Sequence, residues 1–424
     1  MRIALLCPPA EGHYSVFFPL YDLLTGAGHT VTFLTLPEGR GRYQDSGLPY
    51  IQYGEELLPD GVLSALLKRR GKSKGLKAMR LMKKELLLME QALLNSGSQI
   101  LNELKPDLLI ADQVFLSATS IAQKACCRCC LLSTTLPLHS DLDVPPVISA
   151  RPLKQDNFSL WLNRLESRLY SSFFHPFVKE VNKARKSWGL PTLKGHNSLY
   201  RLADRTLIHC PEMLEYQQSL SNSEFDYIQP ISGWKHRKPA TDTWLKVIDS
   251  GKKSIYVSFG TMQNHNISLY TSILNHLNGY EFNVLVSTGG NEDFAHELAK
   301  RYPQHRIYTY LPQLDVLKHS DLFITHAGMN STIEAIQSHT PMLAIPIMGD
   351  QNGIAARIQA SNIGKVISRN KLTRKGLSST VTLLLSNDLY KERITMLHES
   401  IELHQASAIE VIDKLSITGE KLVT

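Results

Sequence analysis

The stretch YLPQLDVLKHSDLFITHAGMNSTIEAIQSHTPMLAIPIMGDQ, residues 310–351, decides the fold. Within it DLFIT (321–325) and MLAIP (342–346) are short, continuously apolar runs, as strands buried on both faces of a parallel sheet should be. HAGMNS between them predicts a strand-to-helix turn, and Asn330 to Ser338 reads as a short helix. Strand, helix and strand in so few residues make a βαβ unit, which requires a parallel sheet. A glycine in the turn lets backbone approach a ligand, and the unpaired N–H groups and dipole of the helix start favour a phosphate. Glu334, one turn further, offers acceptor oxygens to sugar hydroxyls. Asp350-Gln351 sets a carboxylate beside an amide, a pair suited to several hydroxyls at once.

Outward from this unit the rhythm continues. SIYVS (254–258) leads into Phe-Gly-Thr, and FNVLVS (282–287) and RIYTY (306–310) add further strands. In the first half RIALLC (2–7), TVTFLT (30–35), DLLIA (107–111) and CLLSTT (130–135) predict strands. Helices are expected from about Ser15, as N-cap, to Thr25 and again near 115–126. The chain therefore reads as α/β, two doubly wound Rossmann-like domains facing across a cleft. Their expected limits are 1–232 and 243–424, joined by a polar connection at 233–242, with the last helices packing back on the first domain. Ligands of such folds sit beyond the carboxyl ends of the strands. His13, Asp112, Gly260, Thr261, His326, Asp350 and Gln351 all end or follow a predicted strand.

Composition narrows the function. The 424 residues carry 46 Lys and Arg against 39 Asp and Glu, a formal charge of +7. Nine of the basic residues, and no acidic one, fall in KRRGKSKGLKAMRLMKK (68–84), so the remainder is slightly acidic. No aromatic residue is interleaved with these cations, which argues against nucleic acid. Leu76, Met79, Met82, Leu86, Met89 and Leu93 recur at spacings of three or four, predicting one apolar stripe on a long helix. The segment reads either as a solvated helix face or as a peripheral contact with an anionic membrane surface beside a lipophilic substrate. No run of 18 apolar residues predicts a spanning helix, and the first apolar run is too short for a signal peptide. The six cysteines, four of them in CCRCC (126–130), fit neither a disulfide framework nor a spaced zinc site. Buried reduced thiols and a cytoplasmic setting are expected. Asp141-Leu142-Asp143 matches a metal-binding Asp-x-Asp pattern too short to carry weight, and no metal is expected. No GxGxxG follows a predicted strand, which disfavours a dehydrogenase.

Taken as a set, the motifs resemble glycosyltransferase family 1, the UDP-sugar-dependent enzymes of GT-B architecture. Tyr310-Leu311-Pro312-Gln313, His326-Ala327-Gly328-Met329-Asn330-Ser331, Glu334 and Asp350-Gln351 supply each element of that family's signature. The resemblance extends to VSFGT (257–261) and to PPAEGH and GHTVTFLT in the first half, and fades over 40–100 and 140–230. It implies that Tyr310 stacks on uracil with Gln313 nearby, and that Glu334 takes the ribose hydroxyls. Gly260, Thr261, His326, Gly328, Asn330 and Ser331 would hold the diphosphate, and Asp350 with Gln351 the hexose, most often glucose. His13 would be the general base for an acceptor hydroxyl, oriented by Asp112. The implied activity is inverting transfer from UDP-glucose to a small lipophilic acceptor, with positive donors and a helix terminus meeting the leaving UDP and no cofactor. Tyr310 and Met329 stand where the plant form has tryptophan, and the HAGMN form is closer to bacterial macrolide and carotenoid glucosyltransferases. LPLHSDLDVPP (136–146) resembles an acceptor-side segment of the latter, so a carotenoid or terpenoid acceptor is an alternative. A non-catalytic GT-B binder of nucleotide or glycoside is another.

Overall fold

The computed structural model describes residues 1–417 except 72, 74, 217–224, 234–243, 246, 247, 249, 250, 262–265 and 279–281. Of the expected connection 233–242, only Gly233 falls among the described residues.

Two parallel sheets organise the chain. The first takes β1 (Arg2–Leu6), β2 (Thr30–Thr35), β3 (Tyr50–Gln52), β4 (Leu108–Asp112), β5 (Arg128–Ser133), β6 (Arg205–Ile208) and β7 (Phe225–Tyr227). Their spatial order is β3-β2-β1-β4-β5-β6-β7. The second takes β8 (Ser254–Ser258), β9 (Asn283–Ser287), β10 (Arg306–Tyr308), β11 (Leu322–Thr325), β12 (Met342–Ala344) and β13 (Gly364–Val366), in the order β10-β9-β8-β11-β12-β13. Every pairing is parallel. The central strands are buried along their whole length in β4, β8 and β11, because helices cover both faces and leave no side of the strand to water. Each such Leu, Ile or Val is worth about 1.5–3 kcal/mol in apolar burial.

The same strand order in both halves has one consequence for ligands. In the first sheet the chain turns back between β1 and β4, which lie side by side with Ile3 opposite Leu108 and Leu6 opposite Ala111. In the second it turns back between β8 and β11, with Ser258 opposite Thr325. Crevices open at such switch points beyond the strand ends. They hold His13 with Asp112 in one domain and Gly260 with His326 in the other.

The domains are not independent bodies. One apolar cluster runs from Tyr170, Phe174 and Phe177 through Val147 to Met329, Ile333 and Ile354 of the second domain. The Ala408–Ile417 helix returns to the first domain, where Ala408, Val411 and Ile412 pack in one cluster with Leu20 and Leu24 of the Glu11–Gly26 helix. Ile228 also bridges Ala406 in parallel register.

One expectation needs correction and another gains detail. The first helix begins at Glu11, not Ser15, with Ala10 as N-cap; His13 therefore sits in the first helical turn, not in a loop. The predicted apolar stripe lies on the Gly75–Leu104 helix, but only its lower part is covered: Met89 and Leu93 are buried, whereas Leu76 and Met79 are exposed.

Candidate active site across the interdomain cleft

His13 and Asp112 are 99 residues apart and meet at 2.6 Å, Nδ1 to Oδ2. The Asp112 carboxylate is wholly buried and its other oxygen accepts the Val114 N–H at 3.0 Å. Thr134, one residue beyond β5, donates to Asp112 Oδ2 at 2.9 Å and lies 3.0 Å from His13 Nδ1. A carboxylate only accepts, so Nδ1 carries the proton and Nε2 is left as the acceptor. Burial disfavours the charged imidazole, but the charge and hydrogen bond of Asp112, with the charge of Asp350, outweigh it and raise the His13 pKa above its ordinary value.

The second domain presents its residues from the opposite wall. Thr135 donates its hydroxyl to the Asp350 carboxylate across the cleft. Burial raises the Asp350 pKa, and the Thr135 hydrogen bond opposes that rise. Asp350 is the N-cap residue of the Gln351–Ala360 helix. Gln351 turns its amide oxygen to its own loop, accepting the N–H of Ile347 at 2.9 Å and of Met348 at 3.0 Å. Only its NH₂ remains for a ligand.

Asn330 opens the Met329–Gln337 helix with its neighbours Met329 and Ser331. Its NH₂ donates to the Gly12 carbonyl at 2.6 Å and the Ser15 hydroxyl at 2.7 Å, both on the helix that carries His13. The side chain thus ties this helix start to the helix that carries His13, while the first-turn backbone N–H groups stay available to an anion. His209, just past β6, is buried and accepts the Ile231 N–H on Nδ1 at 3.0 Å. Burial lowers its pKa to about 4, so it acts as a neutral group.

Gln313 donates to Ser331 Oγ at 3.0 Å and to Glu334 Oε2 at 2.6 Å. Its role here is to hold Glu334 and Ser331 in place. Tyr310 (49 % exposed), Asn330 and Glu334 line a cavity of about 250 Å³ whose far wall is Glu11, Ser15 and Arg42 of the first domain. Thr261 is exposed at the end of β8.

His326 is partly buried, and that burial lowers its pKa to about 4. It is therefore uncharged near neutral pH and offers an N–H donor, not a cation. Two glycines make room for it. Gly260 has φ +67°, and a Cβ there would lie 3.1 Å from His326 Cε1; a Cβ on Gly328 would lie 2.6 Å from Nε2. Gly289 is pinned in turn by Gly260, whose carbonyl oxygen would stand 2.4 Å from an added Cβ. Ala327 takes φ +63°, a strained conformation for a residue with a side chain.

Thr134, Thr135 and His209 were absent from the sequence-based candidates, although each directly follows a strand. Glu90 was also absent. It is buried on the Gly75–Leu104 helix and accepts the N–H groups of Leu116 (2.5 Å) and Ser117 (2.9 Å), fixing the loop after Asp112. Burial lifts its pKa to about 7 against those hydrogen bonds. Asp141 is occupied in a turn, accepting the Asp143 N–H at 3.0 Å, and Asp143 pairs with Arg164. Among the described residues no cluster of three or more His, Cys, Asp or Glu is arranged to hold a metal ion. All six cysteines are free, and every one but Cys126 is buried.

The chain is 24% identical to zeaxanthin glucosyltransferase of Pantoea ananas over all of this chain and 98% of that protein. It is 23% identical to the NDP-glycosyltransferase YjiC of Bacillus subtilis, over 95% of this chain and 93% of that one. Its fold matches the solved glycotransferase of kitacinnamycin with a TM-score of 0.75, at 20% identity over 97% of this chain and 98% of that one. The spinosyn rhamnosyltransferase SpnG complexed with thymidine diphosphate matches at 0.65, with 14% identity and coverage of 98% and 100%. The model of the UDP-glucoronosyl and UDP-glucosyl transferase family matches residues 98–417. This GT-B chain, which transfers a sugar from a nucleotide-sugar donor to an acceptor, belongs to that family of transferases.

Proposed function

We propose that the chain transfers glucose from UDP-glucose to a hydroxyl of a small lipophilic acceptor with inversion, His13 acting as general base. The observation that carries this reading is the 2.6 Å contact of His13 with a buried Asp112, placed beside a Thr134-Thr135 pair that reaches Asp112 on one side and Asp350 on the other. In the proposed step Nε2 of His13 takes the proton of the acceptor hydroxyl as its oxygen bonds to the anomeric carbon. The bond from that carbon to the diphosphate breaks on the opposite face, its electron pair leaving on the phosphate oxygen. Asp112 stabilises the imidazolium that forms. The leaving diphosphate is met by N–H groups of the Met329–Gln337 helix start and of neutral His326, with backbone room at Gly260, Thr261 and Gly328. Asp350 and the NH₂ of Gln351 take the hexose hydroxyls, Glu334 those of the ribose, and Tyr310 the uracil face. No metal ion or further cofactor enters this scheme, and free buried thiols accord with a cytoplasmic setting.

A hydroxylated carotenoid or related terpenoid is the second reading of the acceptor, favoured by the full-length similarity to zeaxanthin glucosyltransferase. An acceptor panel of small phenols, macrolides and hydroxylated carotenoids, incubated with UDP-glucose and read by mass spectrometry, separates the two. A hexose adduct on phenols alone supports the first, and one on carotenoids alone the second. UDP binding with no adduct and no UDP release across the panel would instead make the chain a non-catalytic binder.

A further inference from the structure

The Asn157–Ser187 helix is apolar on two faces. Tyr170, Phe174, Phe177 and Val181 fill the core. On the outer side Phe158, Trp161, Leu165 and Leu169 are exposed by 67%, 58%, 41% and 64%. At 3.6 residues per turn these four, with Leu162, fall within an arc of about 100°. The Phe158 and Trp161 rings stack with centroids 6.1 Å apart. A solvated helix face has no use for a second stripe of this kind.

The neighbouring Gly75–Leu104 helix brings the remaining parts. It lies beside the first, with Lys83 Nζ 5.6 Å from the Phe173 ring centre. Both helices run alongside the Ala118–Lys124 helix: Glu90 bonds to the N–H groups that precede it, Gly97 abuts Ile121, and Arg185 bonds to Ser120 and Gln123 at 3.0 Å. Their N-terminal halves therefore project together beyond the sheet, by about 20 Å or more at 1.5 Å per residue. On that projection Leu76 and Met79 are exposed (67% and 45%) among Lys77, Arg80 and Lys84. Arg168 flanks the outer stripe on its other edge, and Lys179 lies about 15 Å further along the same helix. Of the local acids, Glu85, Glu166 and Asp143 are paired with Arg70, Arg151 and Arg164, while Asp156 caps the helix through Ser159 and Asp141 accepts the Asp143 N–H.

We propose that this ridge is a docking surface for an anionic lipid bilayer, its aromatic and leucine side chains entering the headgroup region and its flanking cations facing lipid phosphates. The cations decide against a second copy of the chain, since a two-fold contact on this ridge would set Lys77, Arg80 and Arg168 against their own kind. Among the described residues no helix is long and apolar enough to cross a membrane, so the contact is peripheral. The proposal stands on the ridge alone and is independent of the acceptor's identity.

Co-sedimentation of the full chain with vesicles tests it, using phosphatidylcholine with and without phosphatidylglycerol. Binding to the mixed vesicles should exceed that to phosphatidylcholine by about tenfold or more and fall with added salt. The triple variant Trp161→Ser, Leu165→Ser, Leu169→Ser and the separate variant Lys77→Gln, Arg80→Gln, Lys84→Gln should each lose about tenfold, with unchanged circular dichroism. Absence of binding by the unaltered chain, equal binding to both vesicle types, or full binding by the folded charge variant would overturn the proposal. So would a dimer in light scattering that the serine variant dissolves, which would assign the ridge to a second copy.

Discussion

Thr135 bridges the two domains by donating its hydroxyl to Asp350, while the preceding residue, Thr134, donates to Asp112. Two consecutive hydroxyls at the end of β5 therefore set the spacing between the proposed base and the proposed sugar end of the donor. A hydrogen bond to a charged group is worth about 1.5–3 kcal/mol. Thr135→Val, which keeps the shape, should lower kcat/KM for transfer by about tenfold or more. UDP affinity by titration calorimetry should stay unchanged, because the hydroxyl serves the sugar end only.

The pH dependence follows from Asp112. The raised pKa of His13 means that the neutral, proton-accepting form gains population only above the ordinary histidine range. The rising limb of kcat/KM should accordingly lie above about pH 6.5. Asp112→Asn removes the charge and leaves burial, which lowers the imidazole pKa; the limb should move to lower pH and the rate fall by about 10²–10⁴-fold. A limb that stays in place in the variant would assign it to another group.

Gly260 is held by two constraints, a positive φ and the imidazole of His326 3.1 Å from where a Cβ would stand. Gly260→Ala should cost about 1–3 kcal/mol of stability and weaken UDP binding by displacing His326. Thermal melting with and without UDP checks both, and a variant as stable and as responsive to UDP as the unaltered chain would contradict the account.

The seam between the domains carries a buried ion pair. Arg357 holds Glu215 through Nε at 2.8 Å and through a second nitrogen, and lies over the Tyr216 ring at 4.1 Å. Both side chains are almost fully enclosed, at 3% and 2% exposure. Arg357→Met strands a buried carboxylate and should cost about 3–5 kcal/mol. The double variant Arg357→Met, Glu215→Met should recover most of that loss. Denaturant melts of the three proteins measure the difference.

Much of the site was legible because strand ends in a doubly wound fold are where ligands go. That rule, applied to β1, β4, β8, β11 and β12, located His13, Asp112, Gly260, His326 and Asp350. The same rule applied to β5 and β6 would have found Thr134, Thr135 and His209. They escaped because a threonine pair and a lone histidine beside apolar strands carry no motif. Glu90 was not legible at all: nothing local marks a glutamate in a helical stripe as the acceptor for a loop 26 residues on. The charge state of His326 was likewise hidden, since it depends on burial by residues distant in sequence. The first helix was placed too late because Ser15 looks like an N-cap; its hydroxyl instead donates to the Gly12 carbonyl at 2.9 Å, inside a helix already under way. The outer stripe on the Asn157–Ser187 helix was missed because a long helix with apolar residues on two faces shows no clean period.

The most direct test of the central claim is transfer by His13→Ala, measured with UDP-glucose and an acceptor found in the panel, under saturating donor. The account predicts a loss of about 100-fold or more, with UDP affinity unchanged. Near-full activity in that variant would show that another group takes the acceptor's proton.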